Sequence, residues 1–307
     1  MRTARALLAE REGVYGVLPE WIEAVEPAVL KATGAPAPGD LGGEQLRRWG
    51  SSEVWRLSYG LRSVIVKRGS DTQSTEGTAY ERYVRPLRLP APELIELVHL
   101  DGAVLLVMED VGRVTLEQEP SLEGFLAAVD LLAEIRSVPV DGASEFDADR
   151  LSDLAARVAE GRPEPASGLV ERVENRLRPA VADLHRMVRP RVVHGDYVGK
   201  NLVTDGRRWT PVDWPLTYLA PQLPDLYTLT REAVALGHDR DHLVTRYCEA
   251  AGTDRTLVER QTLIGGCGFT LRALAWVIEE GVHTVPSSKD WITPLLDELD
   301  GLLDQLP

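Results

Sequence analysis

Over the first 110 or so residues the apolar positions alternate with polar ones in short runs, whereas beyond about residue 120 they recur every three or four residues. The runs EQLRRW, EVWRLSY and SVIVKR read as three strands, joined by Gly50-Ser51-Ser52 and by Gly60, that begin an antiparallel sheet. Ahead of them, residues 1 to about 40 read as a helical extension, with Val14, Val17, Trp21, Val25 and Val29 near helical spacing, closed by the loop GAPAPGD. TEGTAYERYVRPL reads as a helix that stops at Pro86, and LPAPEL leads into a hairpin, ELIELVHL and AVLLVME, turning at Asp101-Gly102. After Glu109-Asp110-Val111-Gly112 the period changes. Ser121 is placed to cap a helix running through Arg136, a long helix covers roughly 167 to 188, and the pattern from 222 onward is nearly all helical. The one strand signal in that half is NLVTDGRRWTPVDW, with Asp205-Gly206 at its centre. The pattern predicts an α+β protein of two lobes: a helical extension with a β-rich lobe over 1–111, and a helical lobe over 112–307.

Composition narrows the partners. With 34 basic against 48 acidic residues the formal net charge is −14, which argues against a nucleic-acid surface and permits a cationic ligand. Cys248 and Cys267 are too few for a disulfide framework and read as reduced thiols. No run approaches the ~18 uninterrupted apolar residues of a membrane span. The N-terminal MRTARALLAEREGVYG is broken by Glu10, Arg11 and Glu12, unlike a signal peptide, so a cytosolic location without membrane partners is expected. The four lysines, Lys31, Lys67, Lys200 and Lys289, make arginine the default cation. A lysine at the end of an apolar strand, such as Lys67, therefore stands out.

The stretch Val192-Val193-His194-Gly195-Asp196-Tyr197-Val198-Gly199-Lys200-Asn201 has two readings. From Gly195 it resembles a P-loop, but one residue short, with Asn201 where Ser or Thr belongs and a strand-like LVT where a helix should follow. From His194 it is H-G-D-x-x-x-x-N. If Asp205-Gly206 is a two-residue turn, Thr204 pairs with Arg207 and Asp213 comes back opposite Val198, beside Asp196 and Asn201. Two carboxylates and a carboxamide then converge, a set that suits Mg²⁺ with Asn201 and Asp213 as ligands, leaving Asp196 to accept a proton from an attacking hydroxyl. Each residue alone has a plainer explanation: Asp196 capping a turn, Asn201 in a left-handed position, Asp213 capping a helix. Their convergence is what the plainer explanations do not predict.

His194-Gly195-Asp196 with Asn201, followed by Val212-Asp213-Trp214, resembles the aminoglycoside phosphotransferase and choline kinase-like family, which has a bilobal protein kinase-like fold. The resemblance covers roughly residues 45 to 230. It implies an ATP- and Mg²⁺-dependent transfer of the γ-phosphoryl group to a hydroxyl, with Asp196 as base and Asn201 and Asp213 on the metal. It further implies that Ser51 and Ser52, in W-G-S-S-E-V-W-R, cover phosphates and that Lys67, in V-I-V-K, meets the α- and β-phosphates. Glu76 is the implied partner of Lys67, preferred over Glu81 because of the distance to the L-P-A-P segment. The carbonyl of Glu109 and the N–H of Val111 are the implied adenine contacts. Asp225, in L-P-D-L-Y, matches a family aspartate that buttresses the catalytic loop, and His194 is expected to hold that loop by hydrogen bonds.

Several features depart from protein kinases. Trp214-Pro215 stands where Phe-Gly would, and there is neither an H-R-D loop nor an A-P-E segment. Lys200 is not a general family feature; it either neutralises transferring phosphate or lies at the rim. His238 and His242 are four apart but lack a third ligand and read as solvent-facing. Gly265-Gly266-Cys267-Gly268 has no preceding strand and reads as close helix packing rather than a dinucleotide site. Trp276, Glu279, Glu280 and His283 fall where the family builds its acceptor pocket, though helix-face surface explains the acids equally well. Two function classes follow: a kinase of a small hydroxylated molecule (an aminoglycoside or other antibiotic, an amino alcohol or a sugar), or a non-catalytic nucleotide-binding regulatory protein of the same fold. The intact set Lys67, Glu76, Asp196, Asn201 and Asp213 favours the first.

Overall fold

The computed structural model describes residues 18–161 and 168–307, and the chain divides into two compact units, Met1–Gly112 and Arg113–Pro307. Val14 and Val17, expected in the N-terminal helix, and residue 167, expected to open the helix before the catalytic loop, lie outside the described residues.

In the N-terminal unit a short 3-10 turn over Glu20–Val25 leads into α1 (Glu26–Thr33), which precedes an antiparallel sheet of five strands. These are β1 (Gly42–Trp49), β2 (Ser52–Tyr59), β3 (Arg62–Ser70), β4 (Leu94–Leu100) and β5 (Ala103–Glu109), ordered β1-β2-β3-β5-β4. Alternation decides the two faces. Val64 and Val66 on β3, with Leu57, Leu105 and Val107, pack against Ile22, Val25 and Val29, so Lys67 points to the opposite face. That face is approached by α2 (Thr75–Ala79), where a Cβ on Gly77 would stand 2.9 Å from Val104 Cγ2. The missing side chain at Gly77 therefore lets α2 lie close to the sheet. The predicted turn at Asp101-Gly102 forms with Leu100 paired to Ala103 and Gly102 at φ 70°. The helix does not stop at Pro86. A π turn over Tyr80–Val84 widens the coil one turn earlier, the proline enters at a position that tolerates its missing N–H, and Arg88 at φ 53° ends the helix after Leu87.

The C-terminal unit is helical apart from short strands. It opens with β6 (Val114–Thr115) and α3 (Leu122–Ser137), which Ser121 caps by accepting from the Gly124 N–H at 3.1 Å. There follow α4 (Ala148–Glu160) and a helix that runs from Leu169 through a π turn into α5 (Arg178–Met187). Next come β7 (Arg191–Val193), β8 (Leu202–Thr204), β9 (Trp209–Pro211) and β10 (Tyr218–Ala220). The helices α6 (Pro224–Ala235), α7 (Arg240–Ala251), α8 (Arg255–Trp276) and α9 (Ile292–Asp304) complete the unit. The helical stretch Arg255–Thr284 has the length and composition of a membrane span but forms part of the core of this unit, beside α4, α6 and α9. Its glycines explain the fit: a Cβ on Gly265 would lie 2.5 Å from Pro224 N, and one on Gly266 2.7 Å from the Tyr227 ring. Close packing of α6 on α8 is thus built into the sequence. Buried Arg136 donates to the carbonyls of Val192 at 3.3 Å, Ala220 at 3.0 Å and Pro221 at 3.1 Å, fastening the β7/β10 pair that leads into His194. His238 precedes the cap of α7 and packs on Phe125 with ring centroids 5.4 Å apart, so it does not share a helix face with exposed His242.

Candidate active site

In the N-terminal unit Lys67 Nζ lies 2.6 Å from Glu76 Oε2, with both residues almost fully buried. Glu81 is exposed and faces His99 at 3.6 Å, so of the two candidate glutamates Glu76 is the one beside the lysine. Burial together with the charge of Glu76 pushes the Tyr80 phenol well above its ordinary value, and its hydroxyl donates to the Pro92 carbonyl at 3.2 Å. Ser51 and Ser52 sit at the β1/β2 turn, where Trp49 pairs with Ser52 and Gly50 takes φ 52°. They line a cavity of about 140 Å³ with Arg48, Glu53, Arg68 and Ser70, and the Ser51 carbonyl accepts from the Ser70 N–H at 2.8 Å.

The end of β5 carries a network that the sequence reading missed. Arg56 is buried; its Nε donates to Asp110 Oδ2 at 2.7 Å and its Nη2 to the Gly112 carbonyl at 2.8 Å, while Ser63 Oγ donates to the same Asp110 oxygen at 2.7 Å. Burial works against the charge on Arg56, but hydrogen bonds and attraction from Asp110 and Glu44 outweigh it and raise its pKa. Burial likewise opposes the charge on Asp110, and the bonds from Arg56 and Ser63 overcome it and lower its pKa. Glu109 and Val111 flank Asp110, and the Glu109 N–H donates to the Glu93 carbonyl at 2.9 Å. The backbone at 109–112 is therefore held from both sides.

In the C-terminal unit the loop after β7 is fixed mainly through its backbone. Asp225, buried at the start of α6, accepts from the N–H groups of His194 at 2.7 Å and Gly195 at 2.9 Å. Thr228 donates to the Tyr197 carbonyl at 2.9 Å, Glu232 accepts from the Gly199 N–H at 2.6 Å, and Arg272 from α8 donates to the Gly195 carbonyl. His194 is fully buried, with Trp214 at 4.4 Å between ring centroids. Its Nδ1 accepts from the Asp196 N–H at 3.3 Å, which leaves Nε2 to donate to the Val212 carbonyl at 3.1 Å. This is a neutral imidazole with both nitrogens engaged. Burial lowers its pKa against the opposing charges of Asp225, Asp196 and Asp213.

Asp196 is half-buried and accepts at Oδ2 from Asn201 Nδ2 at 2.9 Å, and the same Nδ2 meets the Asp196 carbonyl at 2.9 Å. The carboxamide oxygen of Asn201 is thereby turned away from Asp196. Lys200 Nζ lies 3.0 Å from Asp196 Oδ2, so the lysine is paired with the aspartate. Burial raises the Glu232 pKa and the neighbouring Glu117 adds to it, with the Gly199 bond pulling the other way.

The β8/β9 hairpin differs from the register expected. Thr204 pairs with Trp209 rather than Arg207, because Asp205 Oδ1 accepts from the Arg207 and Arg208 N–H groups and Thr204 Oγ1 from the Gly206 N–H, closing a four-residue turn. The Val212 N–H consequently donates to the Asn201 carbonyl at 2.9 Å, and Asp213 returns beside Lys200-Asn201 rather than opposite Val198. Asp213 has φ 68°, a left-handed conformation that costs a non-glycine residue of order 1–3 kcal/mol. The P-loop alternative fails here, since Asn201 ends a single 3-10 turn and the chain enters a strand.

Among the described residues no group of three or more His, Cys, Asp and Glu side chains could hold a metal ion. Mg²⁺ does not require one, since it takes carboxylate, carboxamide, water and phosphate oxygens, and the oxygens of Asn201 and Asp213 are of the right chemistry. Elsewhere in the unit, Glu279 of the expected acceptor region accepts from Arg157 Nε at 2.7 Å, a surface ion pair. A cavity of about 670 Å³ lined by Asp183, Arg240, Glu259, Arg260 and Leu306 includes no residue of the loop over 194–201.

Residues 43–260 match the phosphotransferase enzyme family, APH. No curated protein matches the chain. Among solved structures, a thermostable mutant of the aminoglycoside phosphotransferase APH(4)-Ia, in ternary complex with ADP and hygromycin B, is similar at a TM-score of 0.57 and 16% identity, covering 92% of this chain and 98% of that one. A putative fructosamine-3-kinase from Haemophilus somnus 129PT gives 0.59 and 14%, covering 90% and 96%. A choline/ethanolamine kinase family protein from Mesorhizobium loti gives 0.61 and 15%, covering 93% and 95%. At these identities the likeness establishes the α+β, bilobal kinase-like fold.

Proposed function

Since the chain belongs to the phosphotransferase enzyme family, we propose that it transfers the γ-phosphoryl group of ATP to a hydroxyl of a small molecule, with Asp196 as the base. The observation that carries this is the catalytic loop: a half-buried carboxylate at Asp196, oriented by Asn201 and Lys200, on a backbone fixed by Asp225, Thr228 and Glu232. In its own unit Lys67, steadied by Glu76, serves the α- and β-phosphates, and Ser51 and Ser52 cover phosphate through hydroxyls and backbone N–H groups. The Glu109 carbonyl and Val111 N–H hold adenine. Asn201 and Asp213 would hold Mg²⁺, which when bound supplies neutralisation of phosphate charge. Phosphoryl transfer passes through a loose transition state, so the chain's contribution is positioning and charge. His194 holds the loop and is not the base, because both its nitrogens are engaged by backbone. The net charge of −14 favours a cationic hydroxylated acceptor, as in an aminoglycoside or an amino alcohol.

The test is ATP consumption by the purified chain across aminoglycosides, other hydroxylated antibiotics, amino alcohols and sugars. At least one acceptor should be turned over, and Asp196→Asn should cut kcat by about 10²–10⁴-fold with the melting temperature essentially unmoved. Wild-type turnover in Asp196→Asn would refute the mechanism. Nucleotide binding without turnover over the whole panel would favour the regulatory reading.

A further inference from the structure

Three side chains of α6 meet the catalytic loop in succession. Asp225, Thr228 and Glu232 stand at offsets of three and seven, one face of a helix, and engage His194 and Gly195, then Tyr197, then Gly199. The loop is thus laid along the helix residue by residue. The last contact is the closest to the chemistry, because Gly199 opens the single turn Gly199–Asn201 that presents Lys200 and Asn201 to Asp196.

Gly199 is also wedged. A Cβ there would lie 2.6 Å from Glu232 Oε1 and 3.0 Å from the Glu117 backbone nitrogen, so the carboxylate is seated against the backbone with no slack. The Gly199 N–H is the first of the turn and has no partner within it, as at any helix start. Glu232 satisfies it from outside at 2.6 Å. A charged acceptor on a backbone N–H makes a stronger bond than a neutral one and so restrains the turn more tightly.

We propose that Glu232 is a positioning residue for phosphoryl transfer: by accepting the Gly199 N–H it fixes the turn that sets Lys200 and Asn201 against Asp196. The proposal rests on the phosphotransferase reading above and adds to it a residue that touches none of the reacting atoms.

The test uses the full chain with Mg-ATP as probe, reading ATP hydrolysis without added acceptor and amide hydrogen exchange across residues 197–201. Glu232→Ala should speed exchange at Gly199–Asn201 and lower kcat, each by about tenfold or more, with KM for Mg-ATP within about twofold of wild type. Glu232→Gln, which keeps an acceptor oxygen, should restore most of both. Unchanged exchange in Glu232→Ala overturns the proposal. So does faster exchange with kcat untouched, a change in KM alone, or a Gln variant as impaired as the Ala variant. If the wild-type chain hydrolyses no Mg-ATP in the absence of acceptor, kcat is read with the acceptor found in the panel above. A chain that turns over Mg-ATP under neither condition would sink the phosphotransferase reading by itself, and the exchange arm would still decide whether Glu232 holds the loop.

Discussion

The two units hold their functional groups by opposite means. In the N-terminal unit Lys67 and Glu76 are opposite charges 2.6 Å apart, almost wholly withdrawn from water between a sheet and a helix. In the C-terminal unit Asp196 and Lys200 remain partly solvated, and the precision lies in the backbone, pinned by Asp225, Thr228, Glu232 and Arg272. A buried pair is fixed by the cost of separating it. The accessible carboxylate of Asp196 is held by Asn201 and Lys200 at one oxygen, and by the pinned backbone that carries all three residues.

That contrast predicts unequal penalties. Lys67→Met leaves Glu76 buried without its cation and should cost about 3–5 kcal/mol of unfolding free energy in urea melts, along with nucleotide binding. Lys67→Met/Glu76→Leu should recover most of the stability and none of the turnover, because an apolar pair of similar size packs without the charge. If the single variant melted like the wild type, the N-terminal pair would not be the desolvated element described here.

A smaller effect is expected at Asp213. With φ at 68°, Asp213→Gly should be more stable than Asp213→Ala by about 1–2 kcal/mol, since only glycine adopts that conformation without a Cβ clash. Both variants should lose turnover alike, as both lack the carboxylate. Equal stability of the two in denaturant titrations would remove the argument that backbone strain is retained at this position for the sake of its side chain.

How far these features can be read from the chain depends on where their partners lie. The sheet, its Asp101-Gly102 turn and the helical second half follow from local periodicity and turn chemistry, which nearby residues determine. The pairing of Lys67 with Glu76 was anticipated through family resemblance, because nothing in TEGTAYERY alone separates Glu76 from Glu81. The approach of Asp213 to Asn201 was legible as a hairpin, but its register was two residues out, because side-chain bonds from Asp205 and Thr204 lengthen the turn. Arg56, Thr228, Glu232 and Arg272 were not legible as site residues. Each has at least one partner in backbone more than 30 positions away, and a backbone carbonyl or N–H carries no side-chain signature in the sequence.

The smallest predicted effect concerns pH and separates the units once more. His194 is neutral in the folded chain, its pKa lowered by burial, whereas in the unfolded chain it returns to about 6.5. Below that value the unfolded state binds a proton that the folded state refuses, so stability present at pH 7 and above is lost as pH falls from 6.5 towards the folded pKa. One proton over the unit between 6.5 and 5.5 limits the loss to about 1.4 kcal/mol. Half-buried His185 is shifted downward mainly by burial as well and adds in the same direction. Both belong to the C-terminal unit. In His194→Gln the change in unfolding free energy between pH 7 and 5.5 should shrink relative to wild type, while Lys67→Met/Glu76→Leu should leave it intact. Protonating Nδ1 would also remove the acceptor of the Asp196 N–H, so the same acidification should speed amide exchange at Asp196 before the unit melts as a whole.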